Sequence, residues 1–148
     1  MEIEPKSADA FGQELWDYYH GNEETAQITE KDDGYIDAGF GILKSYFSDY
    51  KDWPLAEKAA IKFAHGRVLD VGCGAGRHSL YLQKKSMDTL GIDTSPLAVK
   101  VSKLRGVKKV KILPFEQISR LKPIKFDSIL MFGQNFGLFG SFKKARRL

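Results

Sequence analysis

The chain has 148 residues, of which 43% are hydrophobic and 12% are aromatic, and it contains a single cysteine. This length and hydrophobic content suit one domain with a buried core and exclude a disordered chain. One cysteine excludes a disulfide framework, and no apolar run approaches the roughly 20 residues of a membrane-spanning helix. The acidic start lacks the pattern of a secretion signal, so we expect a cytoplasmic protein with no membrane association.

The charges divide the chain into an acidic and a basic part. Residues 1–60 carry 14 acidic and 5 basic side chains, whereas residues 61–148 carry 18 basic and 5 acidic ones. Nine of these bases fall within 100–125, beside the single acid Glu116. Such a block attracts phosphate backbones. Because the lysines lack the interleaved aromatic residues that would stack on bases, a solvated face is favoured, and nucleic acid is the less favoured partner.

Residues 1–66 are predicted to form an N-terminal helical segment that serves as a lid or accessory layer. Apolar residues three or four positions apart predict a first helix over 11–19 and a second over 36–50. Pro54 is typical of the first position of a third helix. The polar, acidic stretch 21–34 is predicted to be a loop or mobile arm.

Residues 67–148 alternate between strand and helix patterns. Alternation of this kind predicts parallel strands joined by right-handed crossovers, which is a Rossmann-like, doubly wound α/β sheet. The predicted strands are 67–71, 87–92, 107–113 and 126–132, and the predicted helices are 77–85 and 95–106.

The most informative stretch leaves the first of these strands and opens a helix. It carries three glycines at alternate positions, Gly72, Gly74 and Gly76, which let the backbone turn tightly and let a ligand press against it. Asp93 ends the next strand 21 residues after Gly72, where a carboxylate suits both hydroxyls of an adenosine ribose. The two features predict an adenosine-containing ligand across the carboxyl ends of the first two strands.

The charge beside the loop distinguishes between two such ligands. A dinucleotide fingerprint has the spacing Gly-x-Gly-x-x-Gly, because a pyrophosphate lies on the helix N-terminus. This loop has the spacing Gly-x-Gly-x-Gly, and Asp70 precedes it. The carboxylate of Asp70 would repel a diphosphate and attract an ammonium or sulfonium group. S-adenosylmethionine is therefore favoured, and a nicotinamide oxidoreductase is the alternative.

Three segments resemble the first, second and fourth motifs of class I S-adenosylmethionine-dependent methyltransferases. They are Asp-Val-Gly-Cys-Gly-Ala-Gly at 70–76, Gly-Ile-Asp-Thr-Ser-Pro at 91–96 and Phe-Asp-Ser-Ile-Leu at 126–130. The resemblance covers about 67–140, and the three motifs in this order are specific. It implies in-line transfer of an activated methyl group, which requires alignment and exclusion of water and neither a metal nor a covalent nucleophile.

The resemblance also implies roles for individual residues. The backbone of 72–76 would bound the methionine portion, Asp70 would hold its amino group or the loop, and Asp93 would take the ribose hydroxyls. Glu116 stands near the position where the family often has an acid for the adenine amino group, although the usual Asp is missing. Arg77 reaches the methionine carboxylate or is an exposed first-turn arginine. The predicted cofactor-binding set is Asp70, Gly72, Cys73, Gly74, Gly76, Arg77, Asp93, Thr94 and Glu116.

Candidates for catalysis come from two places in the chain. Gln134 and Asn135 follow the fourth predicted strand, where amides could orient a substrate heteroatom. Tyr18, Tyr19 and His20 end the first predicted helix, where they could contact the sulfonium or act as a base; the alternative is that they are aromatics of an accessory layer. The segment after the fourth strand lacks the Asn/Asp-Pro-Pro-Tyr/Phe signature, which disfavours an exocyclic base amine as the acceptor.

The remaining chemistry-bearing residues predict no further site. The histidines have no metal-ligand spacing with the cysteine or with one another, so no metal site is expected. Cys73 is interpreted as a small loop side chain, and His78 is expected to pack or to lie on the surface.

Three hypotheses remain for the activity. The leading one is a methyltransferase acting on a small-molecule or protein acceptor. The alternatives are an RNA methyltransferase and a cofactor-binding module without catalysis. The last follows from the family's strand order 3-2-1-4-5-7-6, of which the chain supplies 3-2-1-4. We therefore expect a truncated sheet, and a homodimer that pairs through the exposed edge of the fourth strand.

Overall fold

Helices and strands alternate along the computed structural model, which describes residues 9–23, 26–133 and 135–146. The helices are α1 (Ala10–Tyr19), α2 (Ile42–Phe47), α3 (Leu55–Ala60), α4 (Arg77–Lys84), α5 (Pro96–Leu104) and α6 (Phe142–Ala145). The strands are β1 (Ala26–Glu30), β2 (Ile36–Phe40), β3 (Arg67–Val71), β4 (Asp88–Asp93), β5 (Val110–Ile112) and β6 (Ser128–Leu130). Short 3-10 helices cover Tyr50–Asp52, Ile61–Phe63, Phe115–Leu121 and Asn135–Phe139.

Four parallel strands form the central sheet in the order β5-β4-β3-β6. This is the predicted order 3-2-1-4, so the Rossmann-like α/β fold is confirmed. Strands β5 and β6 are shorter than expected; Val107 still belongs to the turn after α5, since its N–H donates to the carbonyl of Ser102 at 3.0 Å. Because the strands are parallel, their carboxyl ends lie at one edge of the sheet.

Both faces of the sheet are covered, which explains the nearly continuous apolar sequence of β3. Leu69 and Val71 point into one apolar cluster with Ile92. Val68 points to the opposite face, where Trp53 and Leu82 pack. Successive side chains of a strand alternate between faces. Strand β3 therefore packs into the apolar clusters on both faces of the sheet, which fixes the position of its carboxyl end.

The N-terminal segment differs from its prediction. Strands β1 and β2 form an antiparallel hairpin where a loop over 21–34 and the start of a helix over 36–50 were expected. The hairpin turns at Gly34, whose φ is +81°, and the second helix begins only after Gly41, whose φ is +73°. The predictions of a loop over 21–34 and of a helix that begins at 36 are therefore wrong, whereas helices near all three predicted places are present. The helix predicted over 36–50 depended on an apolar periodicity that runs across Gly41, and the left-handed backbone of Gly41 interrupts a continuous helix there.

Helix α1 is attached to the sheet domain through shared capping. The Asp9 carboxylate accepts from the backbone N–H of Gly12 at 3.0 Å, which caps α1. It also accepts from the Ser95 hydroxyl at 3.0 Å and from the N–H of Leu97 at 3.1 Å, at the start of α5. Leu15 of α1 is fully buried in a cluster with residues of α5. The N-terminal segment is thus a packed layer beside the sheet.

Strand β6 lies at one end of the sheet. It pairs with β3, and among the described residues no strand covers its other side. Ile129 in its middle is 54% exposed. Pairing of this edge with a second copy of the chain stays a prediction. No described helix is long and apolar enough to cross a membrane.

Candidate functional site

A cleft of ≈ 360 Å³ opens at the carboxyl edge of the parallel sheet. All four strands contribute to it directly or through the residues that follow them, as expected for a ligand site of a doubly wound sheet. Two residues from the N-terminal layer close its remaining side. The lining comprises Phe11, Tyr46, Asp70, Val71, Gly72, Cys73, Arg77, His78, Ile92, Asp93, Thr94, Leu113, Phe115, Glu116, Phe132, Gly133, Asn135 and Leu138.

The glycine loop forms the floor of this cleft. The N–H of Gly72 donates to the carbonyl of Ile92 at 2.8 Å, which fastens the loop to β4. A Cβ on Gly72, whose φ is +65°, would collide with the side-chain amide of Asn135. Gly76 begins α4 with a φ of +79°, and a Cβ there would lie 2.6 Å from the Val107 side chain. The glycines therefore allow close packing of the loop against its neighbours.

Asp93 ends β4 beneath the same loop. One carboxylate oxygen accepts from the N–H of Gly74 at 2.8 Å, and the other accepts from the N–H of Ser95 at 3.0 Å. The residue is 9% exposed and lines the cleft. A carboxylate has about four acceptor positions, so about two remain for hydroxyl donors. The predicted site residues Gly74 and Gly76 are outside the lining of the cleft.

Asp70 and Cys73 are buried polar groups beside the loop. Asp70 is 2% exposed and accepts from the Ser79 hydroxyl of α4 at 2.6 Å. Burial raises the pKa of the Asp70 carboxyl above its usual value. Burial also raises the pKa of the Cys73 thiol, and the nearby carboxylates of Asp70 and Asp93 add to that shift. Cys73 is thus a neutral thiol and a packing residue, as its sequence interpretation held.

A second set of charged side chains lies where Glu57 of α3 meets the first residues of α4. Glu57 pairs with the Arg77 guanidinium at 2.8 Å and with Nε2 of His78 at 3.1 Å. The Trp53 ring packs against both side chains. Burial lowers the pKa of His78. Arg77, one of the predicted cofactor residues, lines the cleft and is ion-paired rather than freely exposed.

The cleft has more carboxylates than cations. Asp70 and Asp93 line it near the ends of β3 and β4, and Glu116 lines it from the 3-10 helix that follows β5. Thr94, directly after β4, also lines it. Among the described residues of the lining, Arg77 is the one permanently charged cation, and Glu57 already pairs with it. This balance favours a ligand with a cationic group over a diphosphate.

The N-terminal layer contributes residues that the sequence pattern did not single out. Phe11 of α1 and Tyr46 of α2 line the cleft, with ring centroids 5.3 Å apart. The predicted candidates lie elsewhere: the Tyr18 ring packs on Phe47, and Tyr19 and His20 are exposed. These three are outside the lining of the cleft. Phe11 was visible in the sequence as the first member of the apolar stripe of α1.

The segment after β6 carries one candidate that the structure brings to the cleft. Asn135 lines it and donates from Nδ2 to the carbonyl of Val71 at 2.9 Å. This bond ties the segment to the end of β3. Gln134 lies outside the described residues.

Basic residues of the 100–125 block gather at the other edge of the sheet. A second cavity of ≈ 660 Å³ at the amino ends of the strands is lined by Arg67, Lys103, Lys108, Lys109 and Lys111. Arg105, from the same block, is half-buried and donates to the carbonyl of Ala75 at 2.6 Å, so it serves packing. The described residues contain no cluster of three or more His, Cys, Asp or Glu side chains that could hold a metal ion.

The strand order, the glycine loop and the acid at the end of the second strand define a Rossmann-like domain with a ligand cleft at its carboxyl edge. A family model described as a methyltransferase domain matches residues 68–147, which is more than half of the chain. The protein belongs to this methyltransferase family, and the resemblance found in the sequence is confirmed.

Individual relatives agree with this assignment. A crystal structure of an S-adenosylmethionine-dependent methyltransferase from Bacteroides fragilis, in complex with S-adenosyl-L-homocysteine, matches 99% of this chain at 32% identity and a TM-score of 0.71. The ubiquinone biosynthesis O-methyltransferase of Xylella fastidiosa (strain 9a5c) is 32% identical over an alignment of 74 residues, and the match covers 47% of this chain.

Both relatives are longer than the matched part. The matches cover 62% of the Bacteroides protein and 30% of the Xylella protein. A structure reported for the conversion of a disulfide bond into a thioacetal group during echinomycin biosynthesis matches 92% of this chain at 20% identity and a TM-score of 0.51. At that identity the likeness concerns the fold alone.

Proposed function

We propose that this protein binds S-adenosylmethionine in the cleft and transfers its methyl group to a small-molecule or protein acceptor. The observation that carries the proposal is the position of Asp93, beneath the glycine loop and open to a cleft that is rich in carboxylates. The bound S-adenosyl-L-homocysteine of the Bacteroides relative, at 32% identity over 99% of this chain, supports the same ligand.

The residues around the cleft fit the parts of this cofactor. We assign the ribose hydroxyls to Asp93, the adenine amino group to Glu116 and the methionine carboxylate to Arg77. The carboxylates at the floor stabilise the positive charge, and the rings of Phe11 and Tyr46 exclude water from that side. The cofactor supplies a methyl group already activated by a sulfonium, so the main task of the chain is to align the acceptor with it.

A hydroxyl is the acceptor that the relatives favour, because the Xylella proteins are named as O-methyltransferases. The RNA alternative has less support, since the lysines that line the second cavity lie at the amino edge of the sheet, away from the cleft. A cofactor-binding module without catalysis would have the same cleft and would differ from a methyltransferase only in having no turnover.

Calorimetric titration with S-adenosyl-L-homocysteine tests the cofactor site. Asp93→Ala removes the carboxylate at the carboxyl end of β4, and Asp88→Ala, at the amino end of the same strand, is the matched control. Loss of two hydrogen bonds to a charged acceptor predicts a binding constant weaker by about 100-fold for Asp93→Ala, and unchanged binding for Asp88→Ala. Circular dichroism checks that both variants fold.

Two results would contradict the proposal. One is the absence of S-adenosyl-L-homocysteine binding by the unchanged chain. The other is equal affinity in the two aspartate variants.

A further inference from the structure

A buried imidazole–carboxylate pair in the wall of the cleft has no part in the cofactor assignments above. Nε2 of His78 lies 3.1 Å from Oε2 of Glu57, and His78 is 7% exposed. The same carboxylate pairs with Arg77 at 2.8 Å. A carboxylate in such an ion pair can only accept hydrogen bonds. The hydrogen of the neutral imidazole therefore resides on Nε2, and Nδ1 carries the lone pair.

The ring is fixed by aromatic neighbours on two sides. The centroid of the Trp53 ring is 4.6 Å from that of His78, and the centroid of the Phe132 ring is 4.8 Å away, both near edge-to-face geometry. Phe132 follows β6 and also lines the cleft. The imidazole is thus packed between Trp53, which precedes α3, and Phe132, which follows β6.

The second nitrogen of the ring is available to a ligand. Nδ1 of His78 has no hydrogen-bond partner among the described residues, and it is not one of their fully buried atoms. It therefore keeps some accessible surface, and the residue lines the cleft. An acceptor group that enters the cleft beside Phe132 would meet a hydrogen-bond acceptor at this position.

We propose that Nδ1 of His78 takes the proton of the methyl acceptor, and that Glu57 acts as a positioning residue that holds the tautomer. This inference rests on the proposed function and deepens it. The acceptor oxygen forms a bond to the methyl carbon, the carbon–sulfur bond breaks with its electron pair remaining on sulfur, and the hydroxyl proton passes to Nδ1. The resulting imidazolium is stabilised by Glu57 and gives the proton to solvent when product leaves.

The charges that face His78 are compatible with this task. Burial lowers its pKa, and the positive charge of Arg77 lowers it further, whereas Asp70 and Glu57 raise it. With a net lowering, the ring is neutral at neutral pH and free to take a proton. The nearby carboxylates then stabilise the charged form during transfer.

Nitrogen-15 NMR of the histidine rings tests the geometry without any acceptor. His78→Gln identifies the His78 signals, and the spectrum at pH 7.5 is expected to show the Nε2–H tautomer for His78. Glu57→Gln should convert it into a mixture of tautomers. The proposal would be overturned by a His78 ring with its hydrogen on Nδ1. It would also be overturned if the tautomer of His78 were unchanged in the Glu57→Gln variant.

Turnover with catechol as the hydroxyl probe and methyl-labelled S-adenosylmethionine provides the second readout. His78→Gln is expected to lower kcat by about 100-fold or more, with a larger deficit at lower pH, while the affinity for S-adenosyl-L-homocysteine stays within about 3-fold. His65→Gln, an exposed histidine outside the cleft, is the matched control. Equal kcat in the His78 and His65 variants would refute the inference, whereas loss of S-adenosyl-L-homocysteine binding by the unchanged chain would refute the proposed function instead.

Discussion

Gly76 is closely packed against its neighbours beside the cleft, and Gly76→Ala tests how closely the loop is fitted. A Cβ at this position would lie 2.6 Å from Cγ2 of Val107 and 2.8 Å from Oγ of Ser102. The Ser102 hydroxyl donates to the carbonyl of Gly74 at 2.7 Å. Ser102 cannot move aside without breaking a hydrogen bond that holds the loop.

Two costs add up in this variant. The left-handed backbone at Gly76, with φ +79°, costs an alanine about 1–2 kcal/mol. Crowding in a packed interior costs about 1–3 kcal/mol more. Gly106→Ala is the matched control, because φ is +101° there and nothing lies within 4 Å of the added Cβ. The control variant therefore loses only the free energy of unfolding that the backbone conformation costs.

Urea unfolding followed by circular dichroism measures the difference. We expect Gly76→Ala to lose about 2–5 kcal/mol of the free energy of unfolding, and Gly106→Ala to lose about 1–2 kcal/mol. Val107→Ala removes the obstructing methyl, so the double variant should recover about 0.5–3 kcal/mol relative to additivity. Equal losses at Gly76 and Gly106, or strict additivity with Val107→Ala, would refute the reasoning.

Two further predictions concern single contacts. The Ser95 hydroxyl accepts from the N–H of Ala98 at 2.9 Å as the N-cap of α5 and donates to Asp9 at 3.0 Å, so Ser95→Ala should cost at least about 1 kcal/mol in urea unfolding; an unchanged midpoint would contradict the cap. Burial lowers the pKa of His78 in the folded state, so the unfolded chain binds more protons below pH 6.5 and the free energy of unfolding falls on acidification. His78→Gln should make that fall shallower, by at most about 1.4 kcal/mol per pH unit; parallel pH profiles would contradict this.

The parallel part of the fold follows from the sequence because local and long-range signals agree there. The apolar strand 67–71, the glycines after it and the cap at Ser95 all require the same structure. The order of the strands then follows from the family resemblance. The position of Asp93 at the cleft was predictable for the same reason, since the residue lies at the end of β4.

The N-terminal layer was harder to predict because two periodicities compete in it. Ile36, Phe40, Leu43 and Phe47 are spaced like a helix face, yet Gly41 interrupts them with a left-handed backbone. Asp33-Gly34 is a strong hairpin signal, and it favours the observed pair of strands. The cleft residues Phe11 and Tyr46 were missed because they reach the cleft only through tertiary packing of this layer, which no local pattern encodes.

A continuous chain of hydrogen bonds connects the first helix to the floor of the cleft. Asp9 accepts from the Ser95 hydroxyl, the Ser95 N–H donates to Asp93, and Asp93 accepts from Gly74. Residues far apart in sequence therefore share one cooperative unit of local stability. In hydrogen exchange, the amides of Gly74, Ser95 and Leu97 should open together when α1 detaches, so the attachment of the N-terminal helix and the local stability of the glycine loop are coupled.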